Sequence, residues 1–405
     1  MLRRKRDKRE EKRIHAFLRM ICQKTISILE VKGISMGGLV KNQHYIPQCV
    51  LARFSNEKSQ VYEVLVDSER PPYITKCKNS MVERFTYEHP DIEKNQLEKY
   101  FSRIESYFGP AIVNIERMID EHGIGELTNS QLKKSIEKYM REVIIFYYRS
   151  GALLHEFEFQ RVRKQDRIGL MLENIMNSPY IKRLSRTITE KYSFAIIKSD
   201  DKDFLLSDQY LTTVALGIKN RFLHISNRHM GLKDVLILIP ISSQYYIAYF
   251  HGNTPEYIKT DRINLLNEGQ VMEINKAIIN NSYIKCIGEN RQGLVDAHKS
   301  FVISSPSSTI AGFKSGAVTG ATLKKEVFFY EKDQKTWDLF ISHEFMKYKN
   351  IGRNESCKCG SGLKFKKCCF DNFLGAERMM NDIVNRRSDY ALVRNTDIEK
   401  GIGEF

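Results

Sequence analysis

Cys357, Cys359, Cys368 and Cys369 fall within thirteen residues as Cys-Lys-Cys, eight further residues, then Cys-Cys. No other feature limits what this chain can build so narrowly. Four thiols this close can meet around one ion, and a tetrahedral four-sulfur site favours Zn²⁺. The insert Gly360-Ser-Gly-Leu-Lys-Phe-Lys-Lys367 starts with two glycines, which permit the tight reversal that returns the second cysteine pair to the first. When all four positions are thiolate no place is left for substrate, so the expected ion is structural. The rival reading is four free or disulfide-bonded thiols. Vicinal Cys368-Cys369 argues against an ordinary disulfide framework.

The same stretch, Gly352-Arg-Asn-Glu-Ser-Cys-Lys-Cys-Gly-Ser-Gly-Leu-Lys-Phe-Lys-Lys-Cys-Cys369, resembles the SEC-C motif. That motif is the small zinc module at the C-terminus of the SecA translocation motor and of many unrelated bacterial proteins. The lead-in Gly352-Arg353-Asn354, the Cys-x-Cys pair, Gly360-Ser361-Gly362, Lys366-Lys367 and the closing cysteines carry the resemblance. The chain departs at Ser356 and Lys358, where the family usually carries proline, and at Leu363, usually basic; none of these is a ligand. The resemblance implies zinc on the four cysteines and a docking role, as for an export chaperone in SecA, with no catalysis in the module.

The chain's 405 residues suffice for one large domain or two medium ones, and 42% hydrophobic with 28% charged residues is ordinary for a soluble protein. No run approaches the roughly 18 apolar residues of a membrane span. Arg19, Gln23 and Lys24 interrupt Ile14–Leu29, which makes a poor signal-peptide core. Cys22, Cys49, Cys77 and Cys286 are scattered and read as reduced, mostly buried thiols, so the expected location is cytoplasmic, with no membrane partner.

Net charge is +15, and part of the excess is local. Arg3–Arg13 holds eight basic and three acidic residues, and Gly352–Cys369 holds five and one. Four thiolates with Zn²⁺ subtract two from the second, leaving about +2 there. Arg353, Lys364, Lys366 and Lys367 are therefore candidates for contact with an acidic protein surface or nucleic acid.

Along the chain, residues 1–35 read as a basic amphipathic extension. Met36-Gly-Gly resembles a fresh start, so the segment is either an upstream extension or a basic arm. Residues 36–300 read as the main domain. Strand signals over 42–88 give way to a helix carrying Leu97, Phe101, Ile104 and Phe108, with Gly109-Pro110 as a kink or break. A second long helix, capped by Thr128-x-x-Gln131, is expected to run through Tyr148. Arg149 follows it as either a snorkelling surface arginine or a buried, paired one. Residues 155–190 are helical. Strands return at Tyr192–Ile197, Phe204–Leu206, Val235–Ile241 and Gln244–Phe250, with a turn at Ser242-Ser243, a helix over Leu265–Asn280 and a strand at Tyr283–Ile287. Residues 301–350 read as a Ser/Gly-rich linker and connecting element, 351–373 as the zinc knuckle and 374–405 as a tail. Strands, then helices, then strands predict an α+β fold with a mixed helical and antiparallel-sheet main domain.

His44-Tyr45-x-Pro47-x-x-x-Leu51-x-x-Phe54 resembles the opening of a large bacterial family known only as a domain of unknown function. Glu83-Arg-Phe-Thr-Tyr87, the Glu98…Glu105 helix, Phe204-Leu-Leu-Ser-Asp208 and Ile239-Pro-Ile-Ser242 extend the resemblance over about 42–290. Gln209-Tyr210 stands where that family has a proline one residue after Ser-Asp, and Cys49 where an aromatic is common. The family supplies no activity to carry over.

His44 with Glu98, Glu105 and Asp208 could hold a divalent metal or perform general acid–base hydrolysis. The plainer readings are a histidine that pins a strand entry and an Asp208 that caps a turn. There is no Walker-type phosphate loop, Gly-x-Gly-x-x-Gly fingerprint, Gly-x-Ser-x-Gly elbow or His-Glu-x-x-His. Nucleotide hydrolysis, hydride transfer and zinc proteolysis are thereby disfavoured. The first reading is an intracellular bacterial binding or adaptor protein with a structural zinc docking module. The alternative is a metal-dependent nuclease or hydrolase, of the kind found as toxin-like effectors in phage defence.

Overall fold

The computed structural model describes residues 40–89, 92–127, 131–150, 164–218, 230–301, 308–314, 317–323 and 327–384. The expected N-terminal extension, Met36 and Thr128 of the expected capping box lie outside the described residues.

The architecture is α+β. Strand β1 (Asn42–His44) leads through the short helix α1 (Gln48–Leu51) to β2 (Gln60–Leu65), β3 (Tyr73–Lys76) and β4 (Val82–Arg84). Strand β1 pairs antiparallel with β4, setting His44 opposite Val82. Helix α2 (Gln96–His122) follows, then β5 (Gly125–Glu126), α3 (Gln131–Glu137), α4 (Met140–Arg149), α5 (Lys164–Met176) and α6 (Ser178–Lys191). Next come β6 (Ser193–Ser199), β7 (Leu206–Ser207), β8 (Thr212–Ala215), β9 (Val235–Pro240), β10 (Tyr245–His251) and β11 (Arg262–Leu266). Helix α7 (Glu268–Asn281), β12 (Lys285–Gly288) and α8 (Arg291–Lys299) close the main body. A hairpin of β13 (Ser308–Lys314) and β14 (Ala317–Leu323) precedes α9 (Glu331–Ile341) and α10 (Phe370–Val384).

Six strands form one sheet in the order β5-β11-β6-β10-β9-β8, and four form another, β3-β2-β12-β7. Among the described strands of these two sheets only the β11–β6 pairing is parallel. The run Val-Leu-Ile-Leu-Ile-Pro of β9 is buried at every position, as a strand covered on both faces requires. Its turn into β10 lies at Ser242-Ser243 as expected, where Tyr245 N–H donates to Ser242 O at 3.3 Å.

Helix α7 touches strands of both sheets. A capping box starts it: Asn267 Oδ1 accepts from Gln270 N–H and Gln270 Oε1 accepts from Asn267 N–H, each at 3.0 Å. That cap leaves Leu265-Leu266 to β11, so the helix begins later than apolar periodicity alone suggests. Asn275 ties α7 to the chain before β7, donating to Asp203 O and accepting from Leu205 N–H.

Three expectations change. Helix α2 runs unbroken through Pro110, so of the kink or break expected there the break does not occur. The carbonyl that Pro110 leaves without an intrahelical donor belongs to the exposed Ser106, on the side of the helix that faces solvent. Gly109 has a packing reason: a Cβ there would lie 3.2 Å from Cys49 Cβ, and α1 packs on α2 at this point. The expected long second helix divides into α3 and α4 at Tyr139 (φ −103°, ψ 9°), whose ring meets Phe108 edge-on at 6.0 Å. Residues 308–314 and 317–323, read as loop from their Ser, Gly, Thr and Ala content, pair as an antiparallel hairpin.

A large apolar core fills the main body. A second, separate core joins Phe328, Trp337, Phe340, Phe345 and Tyr348 with Cys357, Phe365, Phe373 and Met379, and it includes Ala215 of β8. The stretch before the cysteines and the helix after them thus pack together around the knuckle.

Candidate metal centre

The reversal between the cysteine pairs is built from backbone. Ser356 and Lys364 form an antiparallel bridge, and Cys357 N–H donates to Leu363 O at 2.7 Å. Gly360 (φ +83°) and Gly362 (φ +73°) take left-handed conformations that a side chain would strain. A single 3-10 turn over Phe365–Lys367 then returns the chain, with Cys368 N–H donating to Phe365 O at 3.0 Å. Cys369 O accepts from Phe373 N–H at 2.8 Å, so the last cysteine opens α10.

This backbone brings all four Sγ atoms within 4.8 Å of one another. Cys359 and Cys368 lie 3.4 Å apart, and Cys368 and Cys369 3.7 Å. A tetrahedral ion with metal–sulfur bonds of about 2.3 Å separates its ligands by about 3.8 Å, so the four thiols fit one such ion. Among the described residues this is the group of three or more His, Cys, Asp or Glu side chains with metal-binding spacing. Hydrogen bonds to Ser361, and then to the neighbouring thiols, draw Cys359 down to about 6, while burial first of all pushes Cys369 up. A coordinated thiol is deprotonated outright, so an ion overrides this division.

Lys364, Lys366 and Lys367 are exposed around the turn. Arg353 is held differently: its guanidinium lies 4.7 Å from the Phe370 ring centroid, a cation–π contact that fixes the lead-in against the start of α10.

In the main body, His44 and Glu105 meet around Arg149, and Glu98 lies within electrostatic reach of them. Arg149 is buried and paired, only 1% exposed. Its Nη1 donates to Glu105 Oε1 at 2.5 Å, Nη2 to His44 O, and Nε to the Tyr87 hydroxyl at 3.3 Å. Glu105 Oε2 accepts from Gln48 N–H at 3.2 Å, and Gln48 Nε2 donates to His44 Nδ1 at 3.1 Å. Burial holds the His44 imidazole below its usual range, partly offset by a hydrogen bond to the Cys77 backbone. Burial pushes Glu98 up against the attraction of Arg149, and its buried Oε2 has no hydrogen-bond partner.

Asp208 stands apart in role. Its Oδ1 accepts from Tyr283 N–H at 2.9 Å, and its Oδ2 from Ile284 and Lys285 N–H at 2.7 and 3.0 Å. Both oxygens thus pin the entry to β12.

The family model described as Protein of unknown function (DUF4238) matches residues 42–292. The chain belongs to the DUF4238 family. The SEC-C motif model matches residues 353–371, which hold all four thiols. No solved structure matches this DUF4238 chain.

Within the DUF4238 region the His-Tyr-x-Pro opening has a structural account. Tyr45 N–H donates to Met81 O at 3.1 Å, and Pro47 O accepts from Val50 and Leu51 N–H, starting α1. The sequence pointed to His44, Glu98 and Glu105 but gave no role to Tyr87 or Gln48, whose contacts with Arg149 and Glu105 span 62 and 57 residues. Ser361, 3.2 Å from Cys368 Sγ, was visible within the Gly-Ser-Gly run but carried no signal as a thiol partner. Among the described residues no helix is long and apolar enough to cross a membrane.

Proposed function

We propose that this DUF4238 chain is a binding protein whose C-terminal knuckle carries one structural Zn²⁺ and docks on an acidic protein surface. The convergence of four thiols within 4.8 Å carries the reading. Cys357, Cys359, Cys368 and Cys369 would hold the ion, which supplies cross-linking and charge compensation and no open position for substrate. Two of the four thiolate charges remain after Zn²⁺ binds, and the lysines outweigh them on the outer surface.

An exposed Leu363, 51% accessible, sits one residue before Lys364. Apolar surface beside a basic rim suits a protein partner better than a phosphate backbone, which asks for charge alone. A hydrolytic reading based on His44, Glu98, Glu105 and Asp208 draws less support. Arg149 neutralises Glu105, and backbone amides occupy both Asp208 oxygens.

The test compares the wild-type chain with the Lys364→Glu/Lys366→Glu/Lys367→Glu variant, using polyglutamate and duplex DNA as probes in equilibrium binding. The reading expects polyglutamate binding that weakens with salt and is lost in the variant, with metal content unchanged. Polyglutamate binding that survives charge reversal, or binding confined to DNA, contradicts it.

A further inference from the structure

A run of aromatic rings connects the metal centre to an edge of the six-stranded sheet. Phe365 lies between the cysteine pairs, with its N–H donating to Glu355 O at 2.8 Å and its carbonyl accepting from Cys368 N–H at 3.0 Å. Its ring stacks on Tyr348 (centroids 5.4 Å apart, planes 17° apart) and meets Phe370 and Phe373 at 5.3 and 5.9 Å. Tyr348 shares one 3-10 turn with Phe345, which stacks on Phe340 at 6.2 Å. Phe340 meets Trp337 at 6.0 Å, and Trp337 meets Phe328 at 5.6 Å.

Phe328 is where this run reaches the main body. Ala215 N–H donates to Val327 O at 2.8 Å, and Phe329 N–H donates to Ala215 O at 2.9 Å. The segment therefore adds to the outer side of β8, the last strand of its sheet, as a parallel partner one residue long. An uncovered strand edge offers unpaired N–H and C=O groups to other chains, and here the edge residue Ala215 is fully buried by the C-terminal unit.

We propose that metal occupancy latches the C-terminal unit onto β8, so that loss of the ion uncovers this edge. The inference rests on the metal-holding reading of the four cysteines. Two observations favour it. The unit's core is separate from the large one, and units of this size lean on a metal or disulfides for a fixed fold. Its cysteines are free of disulfides, so the ion is the cross-link available. The backbone that seats Phe365 is also the backbone that presents the thiols. Without the ion, that seat keeps the packing of Tyr348, Phe370 and Phe373 and a few turn hydrogen bonds but loses its one strong cross-link. Release would pass outward through Tyr348, Phe340 and Trp337 to Phe328 and, to bare the edge, must also loosen Val327 from the large core, in which the central strands stay buried.

Trp337 is the chain's single tryptophan, so its emission reports on this unit alone. The experiment treats the full chain with a high-affinity zinc chelator and measures metal content, Trp337 emission and amide exchange together. The latch expects ion loss to red-shift the emission and to speed exchange across Thr212–Leu216 by about tenfold or more, while β10 stays protected. Cys359→Ser, which removes the exposed ligand, should reproduce this without chelator. Ion loss that leaves Thr212–Leu216 protected overturns the latch and leaves the metal reading standing. Exchange that rises equally in β10 overturns it too, because the ion would then support the whole fold. A purified chain that holds no metal yet protects Ala215 overturns both.

Discussion

The guanidinium of Arg149 lies 4.3 Å from the Phe101 ring centroid while its Nη1 donates to Glu105 at 2.5 Å. One side chain thus joins the end of α4 to α2 and, through His44 O, to the end of β1. Arg149→Met strands Glu105 and two backbone or hydroxyl acceptors in a buried site. The expected loss is about 3–5 kcal/mol in chemical denaturation. Arg149→Lys should recover little, because an ammonium lacks the planar fork that serves three acceptors at once.

Asp208 should behave as a structural residue. Asp208→Asn turns an amide NH₂ towards backbone N–H donors, leaving one or more buried donors unmatched. Urea unfolding should show a loss of about 1–3 kcal/mol, and Asp208→Ala, which leaves all three donors unmatched, should lose at least as much. Equal stability of Asp208→Asn and wild type would contradict the pinning of β12.

Glu98 gives a pH dependence. Burial raises its pKa in the folded chain, so the folded state holds the proton more tightly than the unfolded state. Its contribution is fully present below the unfolded carboxyl range, near about pH 4, and is lost as pH rises through the folded value. Glu98→Gln removes that loss. Its melting temperature should match wild type in acid and exceed it at pH 8, as read by thermal melts at both pH values; a wild-type advantage at pH 8 would contradict the sign.

Gly375 in α10 faces Thr336 of α9 at a distance that excludes a side chain: a Cβ would lie 2.6 Å from Thr336 Cγ2. Thr336 is buried and its Oγ1 donates to Lys332 O at 2.9 Å, so it cannot turn aside cheaply. Gly375→Ala should destabilise the C-terminal unit by about 1–3 kcal/mol, followed by Trp337 emission. In a Thr336→Ser background, which removes Cγ2 and keeps the hydroxyl, the penalty should shrink.

Local chemistry was legible in the sequence, and contacts distant in sequence were not. The four cysteines announced their site because thirteen residues contain both the ligands and the glycines that turn between them. The apolar runs of β9 and β10 and the face of α2 were equally plain, since burial writes itself into periodicity. The break allowed at Pro110 does not occur because a proline on the solvent side of a long helix costs less than one facing the core. The hairpin at 308–323 was hidden by its small, polar composition, which loops and strands share. Arg149 stayed ambiguous because its partners Tyr87 and Glu105 come from elements 62 and 44 residues away. The second core escaped notice because the aromatics between Phe328 and Tyr348 looked like a connector until the knuckle folded against them.

Four thiols that close around one structural ion should take it up and lose it as a unit. Metal analysis of the full chain, wild type beside Cys357→Ser and Cys368→Ser, tests this most directly. The account expects about one zinc per chain in the wild type and loss of the metal in both variants, with the main body still folded by circular dichroism. A wild type without metal, or variants that retain it, would contradict the claim.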